Sequence, residues 1–422
     1  MKLSKLNIKK IKFNAIDKNY SGEDLLMKIG ELYQFESGIF GYGNIWTKLE
    51  KIVENVIIEE LEKADCIEVE FPKLQPKKIW EQSNRWDIYT GKSDIMFSIK
   101  NNLGEYGLAP TAEECATIFG ANRLLSYKNL PTTYFQIGEK FRKEIRARGY
   151  LFRPRTFVMM DAYSFDRTKE EMHENFNKMH NVYENIFKRL GINIVSVISD
   201  GGTMGGKVSE EFQAITSLGE DVILYDEEKN IGINKEVLGL NDESYINGID
   251  LSKMKEVKAI ELGNNFELGT KYSESMQLFY TDENGQNKPY YMGCYGIGLG
   301  RIIALIIENN AIIKNNEFKG FVLPYNISHY KVQIIYNENN KEKAFELYNE
   351  LLENNINAII DDRENINIGA RINDVYAIGT PKIIVLANKF NGLEYEVEDS
   401  KTNEITKIEC SKIIEYFNKN WS

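Results

Sequence analysis

Two charged residues stand two positions apart in the segment FRKE at residues 141–144. If this segment ends a β-strand, Arg142 and Glu144 point to the same side of it, because successive side chains alternate between the two faces of a strand. A guanidinium can clamp a phosphate or a carboxylate through two parallel hydrogen bonds, and a glutamate can accept one from the amino group of adenine. The pair is therefore a candidate for nucleotide binding, although an isolated pair of this kind is most often a solvated surface pair.

A second candidate is the glycine-rich segment GCYGIGLGR at residues 293–301. Glycines allow a ligand to approach the backbone closely, and the segment predicts a helix that begins near Gly300. Arg301 would then lie at a helix N-terminus, where anions are favoured. A glycine-rich segment alone is weak evidence of function. In this order along the chain, the two segments together predict ATP-dependent activation of a carboxylate.

The bulk composition is that of a soluble globular protein. The chain has 422 residues, of which 42% are hydrophobic and 27% are charged, and this length predicts two or three domains. No apolar run is long enough to span a membrane. The net charge of −11 argues against non-specific coating of nucleic acid. The four cysteines lack the spacing of a zinc site or a disulfide framework, which favours a cytoplasmic location.

Hydrophobic periodicity predicts the elements that must position these segments. A polar stretch at 225–257 predicts an insertion or loop. Two strands around an arginine-rich loop predict an antiparallel hairpin that carries Arg142. The predicted elements are helices at 44–64, 110–127, 168–190 and 300–308, and strands at 66–71, 133–144, 156–163 and 287–295.

The last hundred residues predict a separate small α/β domain, because strands and helices alternate there. The predicted strands are 330–336, 358–360 and 382–386, and the predicted helices are 341–354 and 369–378.

Longer motifs in this order resemble the class II aminoacyl-tRNA synthetases, and in particular the bacterial-type prolyl-tRNA synthetases. The segment FPKLQP with Trp80 and Arg85 resembles the first class motif, a dimer element. PTAEE at 110–114 resembles the loop that binds the substrate's amino group, residues 141–165 resemble the second motif, and GCYGIGLGR resembles the third. The segments GGTMGGKVSEEFQ, LGTKYS, DDR, GAR and IGTP are similar to further signatures.

The resemblance implies an antiparallel sheet flanked by helices, of the α/β (α+β) class, at residues 1–323. An anticodon-binding α/β domain would follow at 324–422. The implied reaction joins proline to ATP as prolyl-adenylate and transfers it to the 3′ end of tRNA(Pro). The implied partners are proline, tRNA(Pro) and a second copy of the chain, in the cytoplasm and away from membranes.

The resemblance also implies residue roles. Arg142 and Arg301 would be catalytic, Arg142 holding the α-phosphate and the substrate carboxylate and Arg301 the γ-phosphate. Glu144 would bind adenine, Phe157 would stack on it, and Glu261 would help to place Mg²⁺ with ATP. The amino acid would be bound by Thr111, Glu113, Arg142 and Asn264, and the candidates for tRNA contact are Arg363 and Arg371. The arginine-rich loop, with Arg146, Arg148, Arg153 and Arg155, favours phosphate contact.

The sequence departs from the family at three positions where bacterial members usually carry histidine, namely Ala112, Glu210 and Asn264. Sequence drift explains this most simply, and a changed amino-acid pocket is the alternative. The short stretch at 225–257 also replaces the large editing domain of many bacterial members, because it is too short to form such a domain.

Three functions stay open at this stage. The first is a translational prolyl-tRNA synthetase without cis editing. The second is a paralogue that activates proline or a related amino acid for a non-translational acceptor. The third is a catalytically silent tRNA-binding homologue, which the presence of Arg142, Glu144, Glu261 and Arg301 disfavours.

Overall fold

A computed structural model describes residues 1–7, 22–144, 151–199, 209–217, 219–238, 249–314 and 317–419. The chain folds into two compact units. The central unit comprises Glu36–Ile39 and Glu54–Ile302, and the terminal unit comprises Met1–Phe35, Phe40–Val53 and Ile303–Ser422. The boundary predicted between residues 323 and 324 stays a prediction.

Ten α-helices lie in the described ranges. The helices predicted at 44–64 and 168–190 are confirmed within one residue at each end, whereas the one predicted at 110–127 is shorter, because the loop through Ala112 is not helical. The helices are α1 (Gly22–Ile29), α2 (Asn44–Lys63), α3 (Lys77–Gln82), α4 (Glu113–Ala121), α5 (Lys169–Arg189), α6 (Lys271–Ser275), α7 (Leu299–Asn309), α8 (Lys341–Glu353), α9 (Ile368–Ile378) and α10 (Ile413–Lys419).

The strands in the described part of the chain agree with most of the predicted ones, and several short strands were not predicted. They are β1 (Leu32–Glu36), β2 (Ile39–Tyr42), β3 (Ile67–Glu68), β4 (Leu74–Pro76), β5 (Ser98–Asn101), β6 (Gly104–Leu108), β7 (Thr132–Phe141), β8 (Thr156–Asp166), β9 (Val195–Ser199), β10 (Ser209–Ile215), β11 (Asp221–Asp226), β12 (Ile231–Asn234), β13 (Lys255–Gly269), β14 (Phe279–Thr281), β15 (Asn287–Pro289), β16 (Tyr291–Gly298), β17 (Ala311–Lys314), β18 (Glu317–Phe321), β19 (Val332–Tyr336), β20 (Ala358–Ile360), β21 (Lys382–Leu386), β22 (Glu394–Asp399) and β23 (Ile405–Glu409).

The largest sheet among the described residues has nine strands, in the order β10-β9-β12-β11-β13-β16-β8-β7-β3. Most neighbours are antiparallel, and only β12 with β9 and β3 with β7 are parallel. Helix α5 packs across β13, β16 and β8. It begins at an N-cap in which the Thr168 hydroxyl accepts a hydrogen bond from the Glu171 N–H. The predicted antiparallel sheet flanked by helices is therefore confirmed.

Two predictions in this sheet were wrong in detail. The polar stretch at 225–257 is not all loop, because β12 lies inside the sheet between β9 and β11. The strand predicted at 66–71 is only two residues long. Beyond it, the Phe71 N–H donates to the Gln136 side chain at 2.8 Å instead of to a main-chain carbonyl, so the ladder with β7 ends.

The terminal unit contains, among its described residues, a five-stranded sheet in the order β20-β19-β21-β22-β23. Strand β19 is parallel to β20 and to β21, whereas β22 and β23 are antiparallel. Helix α8 packs on β19 and β20, and α9 on β19. The predicted α/β alternation is confirmed here, and the β22–β23 hairpin and α10 extend it.

Candidate active site

Strands β7 and β8 form the hairpin that carries the first candidate residues. Phe141 pairs with Thr156, and the Arg142 N–H then donates to the Arg155 carbonyl at 3.0 Å. The Arg142 guanidinium lies 5.2 Å from the centre of the Phe157 ring, and its Nε donates to the Pro110 carbonyl at 3.3 Å. The hairpin therefore places a guanidinium beside an aromatic face, with Glu144 two residues further along.

A β-bulge in β13 brings Glu261 and Asn264 together. In a regular strand, residues three positions apart point to opposite faces. Here Gln213 of β10 pairs with Glu261, and Phe212 pairs with Gly263, so Leu262 is one residue in excess. The Asn264 amide nitrogen consequently donates to Glu261 Oε1 at 2.9 Å.

Arg301 joins the third motif to the second. Its Nη1 lies 3.0 Å from Glu261 Oε2 and donates to the Glu261 carbonyl at 2.6 Å. Its Nε and Nη2 donate to the Phe152 carbonyl at 3.0 and 2.9 Å. As the third residue of α7, Arg301 lies in the first turn of that helix, as predicted from the glycine-rich segment.

These elements surround one cavity of about 200 Å³, which we call the central cavity. Its walls include the glycines Gly296, Gly298 and Gly300, where the backbone itself faces the cavity. The lining contains six of the predicted site residues, namely Arg142, Glu144, Phe157, Glu261, Asn264 and Arg301.

Two carboxyls outside the cavity lining, those of Glu211 and Asp221, interact electrostatically with Glu261. Burial and the Glu261 charge raise the pKa of Glu211 to about 7. Burial and the same charge raise the pKa of Asp221, against the effect of Arg301 and Arg153. Glu261 therefore lies near two further carboxyls, and it is already paired with the Arg301 guanidinium at 3.0 Å.

Thr111 and Glu113 do not line the central cavity, although Pro110 joins their loop to Arg142. The Thr111 hydroxyl donates to Glu113 Oε1 at 2.7 Å, and Glu113 is completely buried. Glu113 Oε2 and Glu114 Oε1 each lie 3.0 Å from Arg85 Nη1. We call these three residues — Arg85, Glu113 and Glu114 — the Arg85 cluster.

Sequence reasoning placed Arg85 in the segment that resembles the first class motif and assigned it no part in the amino-acid site. A signal was present, because two consecutive glutamates begin an apolar helix, α4, whose burial demands a counter-charge. The position of that counter-charge, 28 residues before Glu113, could not be read from any local pattern.

A buried polar network of β7 and β8 contacts the loop that contains Thr111 and Ala112. The Tyr163 hydroxyl accepts a hydrogen bond from the Ala112 N–H at 2.9 Å and donates to Asp161 Oδ2 at 2.8 Å. Lys140 pairs with Asp161 Oδ1 at 2.6 Å, and Gln136 donates to Asp161 Oδ2 at 2.8 Å. The loop is thus held by β7 and β8, the same strands that place Arg142 and Phe157.

The three departures from the family pattern lie in different environments. The Ala112 side chain is 1% exposed, and the Glu210 carboxylate contacts the His180 ring at 2.8 Å and the Ser196 hydroxyl at 2.5 Å. Of the three, only Asn264 lines the central cavity.

Arg363 and Arg371 lie in the terminal unit, where both make internal contacts. Arg363 pairs with Asp361 and Asp374, each at 2.7 Å. Arg371 is 7% exposed, and its guanidinium donates to main-chain carbonyls, including that of Tyr336 at 3.1 Å. Their assignment to tRNA contact stays a prediction. The same unit holds a cavity of about 460 Å³ lined by Asn337, Ile368, Val385, Ala387, Asn388, Lys389, Phe390, Asn391, Glu394, Glu396 and Lys407.

Some predicted features lie outside the described residues. They are Arg146 and Arg148 of the arginine-rich loop, residues 201–208 of the segment before β10, and residues 239–248 of the polar stretch. Across the described residues, no helix combines the length and the apolarity needed to cross a membrane.

Two family models match the chain. Residues 96–310 match the tRNA synthetase class II core domain (G, H, P, S and T), and residues 321–420 match an anticodon binding domain. The first match contains the central cavity and the Arg85 cluster's two glutamates. The fold and the site therefore define a class II tRNA synthetase core.

Curated relatives narrow this class. The chain is 34% identical over 429 residues to the proline–tRNA ligase of Rickettsia bellii, covering 98% of this chain and 97% of that one. It is 32% identical over 434 residues to the proline–tRNA ligase of Rickettsia akari, covering 99% and 100%. The chain belongs to the proline–tRNA ligase family.

Solved structures support the fold. The prolyl-tRNA synthetase of Cryptosporidium parvum in complex with L-proline and AMP matches with a TM-score of 0.72 at 17% identity, over 94% of this chain and 74% of that one. The same enzyme with halofuginone and AMPPNP matches with a TM-score of 0.73, over 94% and 77%.

Proposed function

We propose that this chain activates proline with ATP and transfers the prolyl group to the 3′ end of tRNA(Pro). The proposal rests above all on the central cavity, where Arg142, Glu144, Phe157, Glu261 and Arg301 converge. Membership of the proline–tRNA ligase family, over nearly the full length of the relatives, supports the same activity.

In this proposal, ATP enters with its adenine between Phe157 and the backbone of the third motif. Glu144 accepts a hydrogen bond from the adenine amino group. Arg142 contacts the α-phosphate and the proline carboxylate, and its guanidinium stabilises the charge that develops as the carboxylate attacks phosphorus. Arg301 contacts the γ-phosphate. Two of its contacts are to the Phe152 carbonyl, so its position is fixed before ATP arrives.

Proline is proposed to bind beside Arg142, on the loop that Pro110 begins. Thr111 and Glu113 receive its ammonium through a hydrogen bond and a charge pair, and Asn264 closes the pocket from β13. In-line displacement at phosphorus needs no protein group to remove a proton from the carboxylate, because that group is already ionised at neutral pH.

Mg²⁺ is proposed to enter with ATP and to be held in part by Glu261. The carboxyls near Glu261 fit a cation with oxygen ligands. Within the described residues, no group of three or more metal-ligating side chains is assembled, so phosphates and water would supply the remaining ligands. When bound, Mg²⁺ neutralises phosphate charge.

The remaining assignments follow from the family. We assign residues 1–323 to catalysis and 324–422 to anticodon binding, in a cytoplasmic homodimer formed through the first motif. The internal bonds of Arg363 and Arg371 fit a role in holding the surface of the anticodon domain. The cavity of the terminal unit offers amides and the Phe390 ring, which are groups that bind an unstacked base.

We propose that this chain does not hydrolyse alanyl-tRNA(Pro) that it forms by mistake. The polar stretch at 225–257 contributes β12 to the main sheet, which leaves even fewer residues for an editing domain. A pocket for proline rejects a smaller amino acid by only about 1–3 kcal/mol per methylene. Purified enzyme given alanine and tRNA(Pro) should accumulate alanyl-tRNA, and its rapid hydrolysis would contradict this assignment.

Amino-acid-dependent pyrophosphate exchange, with and without tRNA(Pro), tests the main proposal. Exchange that depends on proline, followed by transfer of labelled proline to tRNA, is the expected result. Exchange without transfer would favour a paralogue with a non-translational acceptor. An absence of exchange with all twenty amino acids would overturn both enzymatic functions.

A further inference from the structure

The Arg85 cluster is a buried ionic group of which the proposed mechanism uses only Glu113. Arg85 is 2% exposed, and Glu113 and Glu114 are completely buried. Burying charges is costly unless they are paired and hydrogen-bonded. A guanidinium buried between two carboxylates is therefore stable only while these groups remain in contact.

The Arg85 guanidinium lies close to three aromatic rings. Its guanidinium carbon lies 5.0 Å from the centre of the Trp80 ring, 4.4 Å from that of Tyr89 and 5.2 Å from that of Tyr272. Arg85 also donates a hydrogen bond to the Tyr89 hydroxyl. Cation–π contacts of a desolvated guanidinium are stronger than those at an exposed site. Arg85 is therefore a fixed point against which Glu113 is held.

The two glutamates differ in their remaining contacts. Glu113 accepts from Thr111 at 2.7 Å and from Cys294 at 3.4 Å, which ties it to the loop that Pro110 begins. Glu114 accepts from Ser83 at 2.6 Å on the opposite side. Only Glu113 thus links Arg85 to a residue of the proposed proline site.

The same contacts shift the pKa values of Glu113 and Glu114 in opposite directions. Burial acts to raise the pKa of Glu113, but the Arg85 charge and the hydrogen bonds from Thr111 and Arg85 outweigh it, and the pKa lies below its ordinary value. Burial raises the pKa of Glu114, with Arg85 opposing the rise and Glu113 adding to it. Of the two carboxyls, Glu113 is therefore the one whose charged form is favoured more strongly by its contacts.

We propose that Arg85 is a positioning residue for the amino-acid substrate: its 3.0 Å ion pair holds Glu113, and through Glu113 the Thr111 hydroxyl, in the orientation that receives the substrate's ammonium. This inference rests on the proposed function. Arg85 itself does not line the central cavity.

The chain offers matched controls. Arg189 also shares its guanidinium between consecutive glutamates of the central unit, at 2.6 Å from Glu59 and 2.7 Å from Glu60, on helices away from the site. Glu114→Gln replaces the carboxyl that does not contact Thr111 with an amide of similar size. Arg85→Lys keeps a positive charge but loses the forked geometry.

The experiment compares wild type with Arg85→Met, Arg85→Lys, Glu113→Gln, Glu114→Gln and Arg189→Met. Calorimetric titration with each of the twenty amino acids gives binding, and pyrophosphate exchange gives KM and kcat for proline and for ATP. Arg85→Met and Glu113→Gln should weaken proline binding about 10- to 100-fold, the effect of one lost charge-assisted hydrogen bond, with KM for ATP little changed. Arg85→Lys should recover part of the loss, Glu114→Gln should weaken proline binding less than Glu113→Gln does, and Arg189→Met should match wild type.

Equal rises in KM for proline and for ATP in Arg85→Met would overturn the proposal, as would wild-type proline binding by that variant. If Arg85→Met does not fold, as judged by circular dichroism, Arg85→Lys and the contrast between Glu113→Gln and Glu114→Gln decide the question. Binding of an amino acid without any exchange would overturn the proposed function and still test Arg85. An absence of binding by every amino acid would overturn both.

Discussion

The central cavity and the Arg85 cluster use the same two chemical groups, guanidinium and carboxylate, in opposite environments. In the cavity, the side chains of Arg301 and Glu261 are 26% and 27% exposed. In the cluster, no side chain is more than 2% exposed. Water stabilises the charges of the cavity until a ligand replaces it, whereas the charges of the cluster stabilise one another. The comparison distinguishes Arg142 and Arg301, proposed to contact ATP, from Arg85, proposed to hold the binding residue Glu113 in place.

The largest effect is expected in the cavity. Arg142→Ala should lower the rate of proline-dependent pyrophosphate exchange by about 10²- to 10³-fold or more, the cost of losing one preorganised group that stabilises charge in a transition state. Thermal unfolding should change little, because the guanidinium is only partly buried.

Arg123→Ala is the control for that substitution. Arg123 is an exposed arginine of the same unit, with its guanidinium 3.8 Å from the centre of the Phe119 ring. It should leave exchange unchanged. If Arg142→Ala kept its activity, the cavity would lose its assigned role and the comparison would fail.

Asp166 is a buried carboxyl group that accepts hydrogen bonds from neutral side chains, and it provides a contrast with the Arg85 cluster. Asp166 accepts hydrogen bonds from the neutral side chains of Ser164, at 2.8 Å, and Asn175. Burial raises its pKa to about 7. A carboxyl with a raised pKa in the folded state stabilises the fold below its unfolded value near 4, and that stability is lost as pH rises through about 7.

Asp166→Asn should remove this pH dependence. Between pH 5 and pH 8, the free energy of unfolding of wild type should fall by about 2–4 kcal/mol more than that of the variant, because each tenfold change in a protonation equilibrium corresponds to about 1.4 kcal/mol. Urea denaturation at both pH values measures the difference. Equal losses in the two proteins would show that burial alone does not protonate this carboxyl.

Phe157→Ala tests the adenine contact on the aromatic side of the cavity. Loss of one stacking interaction, worth about 1–3 kcal/mol, should raise KM for ATP about 5- to 100-fold. KM for proline should change less. Phe157→Tyr keeps the ring and should stay close to wild type in both constants. A larger change for proline than for ATP would place Phe157 in the amino-acid site.

The smallest effect is expected for Asn264→His, which restores the residue usual in bacterial members. Asn264 donates to Glu261 at 2.9 Å, and a histidine can donate in its place. KM for proline should change by less than about tenfold, within the range of one neutral hydrogen bond. A gain of a different amino acid as preferred substrate, in exchange assays of wild type and variant, would show that the pocket has changed its specificity.

Sequence reasoning succeeded where the signal is local. The β7–β8 hairpin follows from two alternating runs around a polar loop, and β20 and β21 match their predicted bounds because short apolar runs lie between turn residues. Of the six cavity residues, Arg142, Glu144 and Arg301 lie in the two segments that the sequence singled out. Phe157, Glu261 and Asn264 were predicted from the family resemblance alone, and the structure places all six on one cavity.

It failed where a contact or a backbone feature depends on distant partners. Strand β12 has only four residues within a polar stretch, and its neighbours in the sheet supply the reason for its conformation. The ion pair of Arg85 and Glu113 joins the first residue of α4 to a residue that lies 28 positions earlier in the chain. No run of residue types in β13 reveals that Leu262 is unpaired.

The excess residue at Leu262 bears on how related chains should be aligned. On one side of the bulge, Ala259 pairs with Asp221, and on the other, Asn264 pairs with Gly296, so the two parts of β13 keep separate registers. A relative with one residue fewer at this position would still present the counterparts of Glu261 and Asn264 on the same face. A second register shift lies between Glu267 and Gly269, and away from these two bulges a deletion of one residue would exchange the buried face of β13 for the exposed one. Single-residue gaps in this strand therefore belong at one of its two bulges, Leu262 or Leu268.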